Sequence, residues 1–397
     1  MSDITEFESK LQAWVAAEDL PGVQYQIVEQ GQSIAGGNLG YQDINANTAV
    51  TGQSLFRLAS ASKLFVSVAF LRLVETGQVK LSDPVSGIFP EFRTLKVFTA
   101  NGEVVPAENS MTMLDLLRHS CGYGYGDAAR RGGAYRKVLM EEHLLGVDDM
   151  GYDHWRTDLS LVDWARALAQ VPMEDEPGTR VCYGLGHDLA GAVIEAITGQ
   201  SLASYFTEAL CQPLGLTSTF FVVPESRAAD LTAFYQRSDN ETHLVETGQQ
   251  SEFLSEPRSF SGGGGWDMLG NGGLVSNVSD FVTLLNMIVN SGQHTGQSFL
   301  QAQHAALLCR SQSANLAHPY MLAGCEYSLG AADVTDPDLY REQGTGSDGP
   351  KHKLWWGGST NTYFFYVPDR KRVGVMLANT FPFGHKGAVF KFGRLAK

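Results

Sequence analysis

Segments that alternate like β-strands sit at both ends of this 397-residue chain, and helical patterns fill the stretch between them. One sheet completed by both ends of the chain, with a helical insertion packed beside it, is the arrangement this order implies. Near the N-terminus an amphipathic helix is predicted over 7–17. Pro21-Gly22 breaks it, and Val23-Gln24-Tyr25-Gln26-Ile27-Val28 then alternates with period two. Glycines at 31, 36, 37 and 40 predict a tight meander. Towards the other end, 281–289 reads as a helix, 363–367 and 372–377 as strands, and a helix over 387–395 is expected to cover the sheet. Between them, apolar helical stretches at 113–117, 161–169, 189–197 and 203–210 are joined by loops rich in Gly, Pro and Asp. The fold class expected is therefore α+β, an antiparallel sheet flanked by helices with a mostly helical second lobe. Residues 1–80 and 256–397 are assigned to the first lobe and 81–255 to the second, the glycine run 262–265 marking the return.

Hydrophobic residues make up 43% of the chain, enough to bury the core of two compact lobes. A formal charge of −14 without clustered Lys or Arg argues against nucleic-acid and anionic-membrane partners. No apolar run reaches the roughly eighteen residues of a membrane span. The start, Met1-Ser2-Asp3-Ile4-Thr5-Glu6, has neither the basic nor the apolar region of a secretion signal, so a cytoplasmic protein is expected. Cys121, Cys182, Cys211, Cys309 and Cys325 are odd in number, widely spaced and without a Cys-x-x-Cys pair, which predicts buried thiols rather than disulfides or a zinc site. The ten histidines show no ligand spacing, and no metal or other cofactor is expected.

Ser60 and Lys63 are three residues apart at the head of an apolar stretch that Gly77 terminates. In a helix they share a face, so the lysine amine can take the serine proton, and the positive end of the helix dipole favours the alkoxide. Alone, the pair reads more simply as a serine N-cap with a surface lysine one turn on.

Other segments, in order, change that balance. Phe56-Arg57-Leu58-Ala59-Ser60-Ala61-Ser62-Lys63 is followed by Leu116-Leu117-Arg118-His119-Ser120-Cys121-Gly122 and by Glu176-Pro177-Gly178-Thr179-Arg180-Val181-Cys182-Tyr183. Then come Pro213-Leu214-Gly215-Leu216-Thr217, Gly272-Gly273-Leu274-Val275-Ser276 with Asp280, and Trp356-Gly357-Gly358-Ser359 ahead of Val367-Pro368-Asp369. This succession resembles the serine β-lactamase and penicillin-binding-protein superfamily, within it the class C-like branch that includes the family VIII carboxylesterases and related acyltransferases.

The resemblance implies a cleft between the two lobes, with Ser60 as nucleophile and Lys63 and Tyr183 sharing the proton transfers of acyl transfer. It also implies an oxyanion hole made by the backbone N–H groups of Ser60 and Ser359, with Gly357 and Gly358 letting substrate approach the strand. Two positions depart from the lactamase pattern. Leu185 stands where a substrate-gripping amide is usual, and Trp356 where a lysine is usual, unless Lys351 or Lys353 takes that lysine's place through a different strand register. Both departures favour an uncharged ester over an anionic lactam, Trp356 offering an apolar wall or simply a core aromatic. Tyr123, Tyr125, Trp155 and Trp266 are candidates to line the cleft. His119 and His187 read as structural, since Lys63 and Tyr183 already fill the base roles, and no Gly-x-Ser-x-Gly supports a Ser-His triad.

The activity expected is cleavage of small to medium acyl esters through an acyl-enzyme on Ser60, the partner being a small-molecule ester or amide. An acyltransferase, D-peptidase, amidase or β-lactamase using the same nucleophile stays open, as does a non-catalytic binding protein of this fold. The natural substrate and the oligomeric state cannot be read from the sequence.

Overall fold

The computed structural model describes residues 3–17, 19–125, 132–142, 144–147, 153–155, 159–237, 244–246, 273–318, 322–340, 350–381 and 383–397. Helix α1 (Asp3–Ala16) leads into strands β1 (Gly22–Glu29), β2 (Gln32–Asp43) and β3 (Thr48–Ala49). A two-residue strand β4 (Phe56–Arg57) precedes a 3-10 turn over Ala59–Ala61 and helix α2 (Ser62–Glu75). The middle of the chain supplies, among others, α3 (Met113–Leu117) and α4 (Gly186–Thr198). After it come β5 (Val275–Ser276), α5 (Val278–Val289), β6 (Cys325–Tyr327), β7 (Ala332–Val334), β8 (Leu354–Gly358), β9 (Thr362–Val367), β10 (Arg372–Ala378) and α6 (Ala388–Gly393).

The main sheet has eight strands in the order β6-β7-β8-β9-β10-β1-β2-β3. Every pairing in it is antiparallel, and β1 joins β10 with Tyr25 opposite Met376 and Ile27 opposite Gly374. Both ends of the chain thus complete one sheet, because an antiparallel neighbour needs only a free edge and a matching apolar alternation.

That alternation serves two cores. Val23, Tyr25, Ile27, Tyr363, Phe365 and Met376 face one side, where Phe7 and Leu11 of α1 and Val389 and Phe392 of α6 cover them. Phe364, Tyr366, Val373, Val375 and Leu377 face the other, against α2 and α5, with Phe281 4.9 Å from Phe65 and 5.0 Å from Phe364 between ring centroids. Asn277 caps α5 by accepting from the Asp280 N–H at 2.9 Å, and Thr112 and Asp115 form a reciprocal capping box on α3.

Several details depart from the sequence expectations. The expected meander is present, β1, β2 and β3 running antiparallel in turn with Gly31 between the first two, but Gly36 and Gly37 lie inside the long strand β2, opposite Gln26 and Tyr25, and not in turns. The helical middle also carries short hairpins, Lys96–Phe98 with Val104–Pro106 and Leu145–Val147 with Asp153–Trp155. Tyr235–Arg237 pairs with Leu244–Glu246 and, in parallel, with Thr380–Phe381. The glycine run 262–265 lies outside the described residues. All five cysteines are buried thiols.

Candidate active site

Ser60 is held by a backbone anchored on several sides. Strand β4 pairs with β5, Arg57 opposite Val275, and the Leu58 N–H donates to the Leu274 carbonyl at 2.9 Å. The Leu274 N–H in turn donates to the Ser62 hydroxyl at 2.8 Å, which occupies that serine with scaffolding. From the strand side, the Thr360 and Thr362 hydroxyls donate to the Arg57 carbonyl at 2.7 and 3.2 Å. Arg57 itself is buried, giving Nη1 to the Thr232 carbonyl at 2.7 Å. The next residue but one, Ala59, sits at φ 46°, a left-handed conformation that costs a residue with a Cβ about 1 kcal/mol or more and persists only where its surroundings impose it.

From Ser54 to Leu71 every residue except Ser60 is buried. Ser60 is therefore the one point at which this strand-turn-helix segment meets the outside. Lys63 follows three residues on, in the first turn of α2. Lys63 is fully buried, so the surface-lysine reading of the pair is excluded.

The Lys63 Nζ lies 4.9 Å from the ring centroid of Tyr183 and 5.6 Å from that of Tyr125. Tyr183 is half-buried on a segment zipped to residues 119–124. The Cys182 N–H donates to the His119 carbonyl at 2.6 Å, the Gly184 N–H to His119 Nδ1 at 3.4 Å, and the Leu185 N–H to the Tyr123 carbonyl at 3.0 Å. His119 thus braces the tyrosine loop, and with Nδ1 accepting, its proton sits on Nε2. Its ring lies 4.4 Å from Tyr183 and 4.7 Å from His187, whose Nε2 is 3.0 Å from the Ser67 hydroxyl. Burial holds both imidazoles well below the usual histidine range, helped for His119 by His187 and for both by the Lys63 charge, so both are neutral.

Trp356 on β8 completes the group. Its Nε1 donates to the Tyr183 hydroxyl at 3.1 Å, and the two rings are 5.0 Å apart. Tyr327 of β6 packs edge-on against Trp356 at 5.4 Å and against His119 at 4.9 Å. Tyr125 stands 5.6 Å from Tyr183. Burial, then the neighbouring Tyr183, raises the phenols of Tyr125 and Tyr327 well above the usual range, so both stay protonated.

Among the substrate-binding expectations, Tyr123 and Leu185 need correction. Tyr123 is fully buried, donating its hydroxyl to the Val171 carbonyl at 3.2 Å and packing on Phe92, while Leu185, 1% exposed, is a core residue at the start of α4. The residue two along, Tyr125, reaches the lysine instead. Gly357 and Gly358 also have protein partners where substrate was expected. A Cβ on Gly358 would stand 2.3 Å from the Leu58 carbonyl oxygen and 3.1 Å from the Ala59 Cβ, and one on Gly357 would stand 2.7 Å from the Phe383 ring. The glycine at 358 lets β8 lie directly on the turn that carries Ser60.

Lys353 is buried on the opposite side of β8 among the rings of Tyr340, Trp355 and Tyr363, 5.6 to 5.8 Å away, and Lys351 is exposed, so neither substitutes for Trp356. Tyr327 had no neighbouring motif to mark it. The side chain of Trp155 and all of Trp266 lie outside the described residues. Among the described residues no helix is long and apolar enough to cross a membrane.

The chain is similar to several proteins of known name. The chain is 37% identical over 186 residues to Esterase EstB of Burkholderia gladioli, a stretch that takes in 47% of this chain and 43% of that protein. It is 27% identical over 350 residues to the lovastatin esterase of Penicillium rubens, covering 79% and 76% respectively. The solved structure of EstCE1, described as a hydrolase with promiscuous acyltransferase activity, superposes with a TM-score of 0.77 at 24% identity over 99% of this chain and 98% of that one. The Beta-lactamase family model matches residues 7–391, and with so nearly complete a match this chain belongs to the Beta-lactamase family, a superfamily of serine hydrolases with esterase and acyltransferase members.

Proposed function

We propose that this protein is a serine hydrolase that cleaves esters of small to medium acyl groups through an acyl-enzyme on Ser60, at a cleft between the sheet lobe (1–80 and 256–397) and the helical lobe (81–255). The observation that carries the reading is the accessibility of Ser60 alone in a buried segment, with a buried lysine one turn behind it.

The Ser60 Oγ attacks the ester carbonyl carbon as the Lys63 amine takes its proton. The N–H groups of Ser60 and Ser359 receive the oxyanion. Tyr183, within reach of the lysine charge, hands a proton to the departing alcohol. Water then attacks the acyl-enzyme as Tyr183 accepts its proton, and Lys63 returns its proton to the Ser60 Oγ as the acid leaves. These steps balance without a cofactor. Trp356, Tyr125 and Tyr327 make the surroundings largely aromatic, with Asp188 as well as Lys63 acting on Tyr125 or Tyr183, which suits a neutral ester better than an anionic substrate.

The test is a panel of p-nitrophenyl esters, a chromogenic cephalosporin and D-alanyl amides, with a phosphonate probe read by intact mass and peptide mapping. Ser60→Ala should lose both ester turnover and the adduct while keeping its fold, the loss in turnover being several orders of magnitude. A probe adduct on Ser120 or Ser276 would refute the assignment. A second reading, transfer of the acyl group to an alcohol in place of water, is favoured by the acyltransferase activity named for EstCE1. Product analysis with added alcohol, scored as new ester against free acid, separates the two.

A further inference from the structure

Strand β2 leaves one edge of the main sheet open. Strand β3 pairs only with Tyr41 and Asp43, and among the described residues no element but β1 hydrogen-bonds to the backbone of 32–39. A register shift near the turn, where Val28 faces Ser33 but Ile27 faces Ala35, confines the regular edge to 35–39. The end of the strand fixes which groups face outward. There the Tyr41 N–H donates inward to the Pro21 carbonyl at 2.8 Å, and the Gly40 carbonyl accepts outward from the Val50 N–H at 3.0 Å. Alternate residues of an antiparallel strand bond to the same side, so Gly36 and Asn38 turn their N–H and C=O groups away from β1 as well. Both residues are exposed.

Proteins blunt such edges with charge, proline or brevity. The far edge of this sheet follows that rule, β6 being three residues long and carrying Glu326. Residues 32–39 hold no Lys, Arg, Asp, Glu or Pro, in a chain of formal charge −14, and Ile34 among them is 40% exposed. A neutral edge of this kind is a template for another strand.

We propose that this edge pairs with the same edge of a second copy, antiparallel about a two-fold axis through Gly37, so that two eight-stranded sheets become one. Gly37 is the midpoint of 35–39, and in this register Gly36 and the partner's Asn38 exchange two hydrogen bonds, with the symmetric pair exchanging two more. Gly37 meets its own copy at a non-hydrogen-bonded position, where Cα atoms approach to about 4.5 Å. Ala35 lies at the same kind of position opposite the partner's Leu39, and both side chains belong to the face that α1 covers, so apolar meets apolar. The register sets no charge against a charge and joins like faces, as an isologous contact requires. A partner that binds through its own charges finds nothing on this edge to answer them. Strand β8, which carries Trp356, is four strands away, about 19 Å, so pairing leaves the candidate active site open.

The contact is small, so association is weak and depends on concentration: sedimentation equilibrium between about 1 and 500 μM should show one copy becoming two. Ile34→Lys, which puts a charge on the edge, and Gly36→Pro, which removes an outward donor, should each weaken association by about tenfold or more at an unchanged melting temperature. The lysine variant keeps this arm valid if the proline variant does not fold. The register is read by mixing Ala35→Cys with Leu39→Cys protein under mild oxidation, the native thiols all being buried. The mixture should form a disulfide-linked dimer and neither variant alone should, because residue 35 and its own copy stand about 14 Å apart, beyond disulfide reach. A chain that stays monomeric at 500 μM overturns the proposal. So does a dimer that Ile34→Lys leaves intact, or one in which either cysteine variant alone cross-links as well as the mixture.

Discussion

Gly358→Ala tests how closely the strand holds the nucleophile. The added Cβ would lie 2.3 Å from the Leu58 carbonyl oxygen and 3.1 Å from the Ala59 Cβ, and both neighbours belong to the turn that carries Ser60. Neither is the free end of a flexible side chain. The Leu58 carbonyl also accepts the Ala61 N–H at 3.1 Å, so it cannot swing away without opening the turn. Restoring an ordinary van der Waals separation requires strand and turn to part by about 1 Å, an overpacking that costs about 1–3 kcal/mol. The same displacement separates Ser60 from Ser359, the two proposed oxyanion donors. A misplacement of about 1 Å can cost about 100-fold in rate, so kcat for p-nitrophenyl butyrate should fall by about two orders of magnitude. Urea unfolding supplies the stability change and stopped-flow acylation the rate. Gly87→Ala is the control, since nothing lies within 4 Å of its Cβ position and its backbone φ is ordinary. A Gly358→Ala enzyme with kcat/KM within threefold of the parent and unchanged stability would refute the claim that this contact seats the nucleophile.

Lys63→Ala and Tyr183→Phe should each slow acylation strongly, with a double mutant less impaired than the sum, because both act on one proton path; full additivity in single-turnover kinetics would separate them. Ser62→Ala should leave the phosphonate adduct on Ser60 and cost about 1–3 kcal/mol in urea unfolding, since it leaves the buried Leu274 N–H without its acceptor; loss of labelling with unchanged stability would point to a direct catalytic role. Stability should fall on acidification below pH ~6.5, because unfolding releases His119 and His187 to an ordinary pKa near 6.5 and the unfolded chain then binds protons the native state refuses. The slope is up to about 1.4 kcal/mol per pH unit for each histidine, and Asp280, Asp333 and Glu195, raised by burial, oppose it only in the window just above ordinary carboxylate values, so urea midpoints that hold level or rise from pH 7.5 to 5.5 would contradict it.

The parts of this molecule legible from sequence are those whose cause is local. Val23 to Val28 alternates because one face meets α1 and the other α2 and α5, and the pattern needs no knowledge of β10 to be seen. The close spacing of Ser60 and Lys63 likewise places them within one turn ahead of an apolar run, although alone the pair reads as an N-cap with a surface lysine and it takes the later segments to suggest a nucleophile and its base. What failed depended on a distant partner. Gly36 and Gly37 look like turn residues but lie in a strand, and a Cβ on Gly37 would press on the Tyr25 ring at 3.1 Å. Tyr123 and Tyr125 are indistinguishable in sequence, and it is the pairing of Gly124 with Gly184 that sends one to the Val171 carbonyl and the other to Lys63. Tyr327 joins the site from the first strand of the sheet, with no nearby residue to announce it.

Leu185 shows how such a correction alters a functional argument. Read in sequence, Leu185 and Trp356 together disfavour lactams, and restoring an amide and a cation at those positions would be expected to recover them. With Leu185 1% exposed inside the helical core, an asparagine there meets hydrophobic side chains and no substrate. Leu185→Asn should therefore cost about 1–3 kcal/mol, as an unpaired buried amide does, and add nothing to lactam acylation. The proposed ester preference then rests on Trp356. Trp356→Lys would place a second ammonium across the Tyr183 ring from Lys63, drawing an anionic substrate in while removing the indole donor and the ring that packs on Tyr327. Ester kcat/KM should fall by about 100-fold or more, and the cephalosporin-to-ester ratio should rise even if absolute lactam turnover stays low. A rise in lactam acylation from Leu185→Asn alone, at unchanged stability, would mean that this side chain reaches the cleft during turnover and that the buried position is not the one that acts.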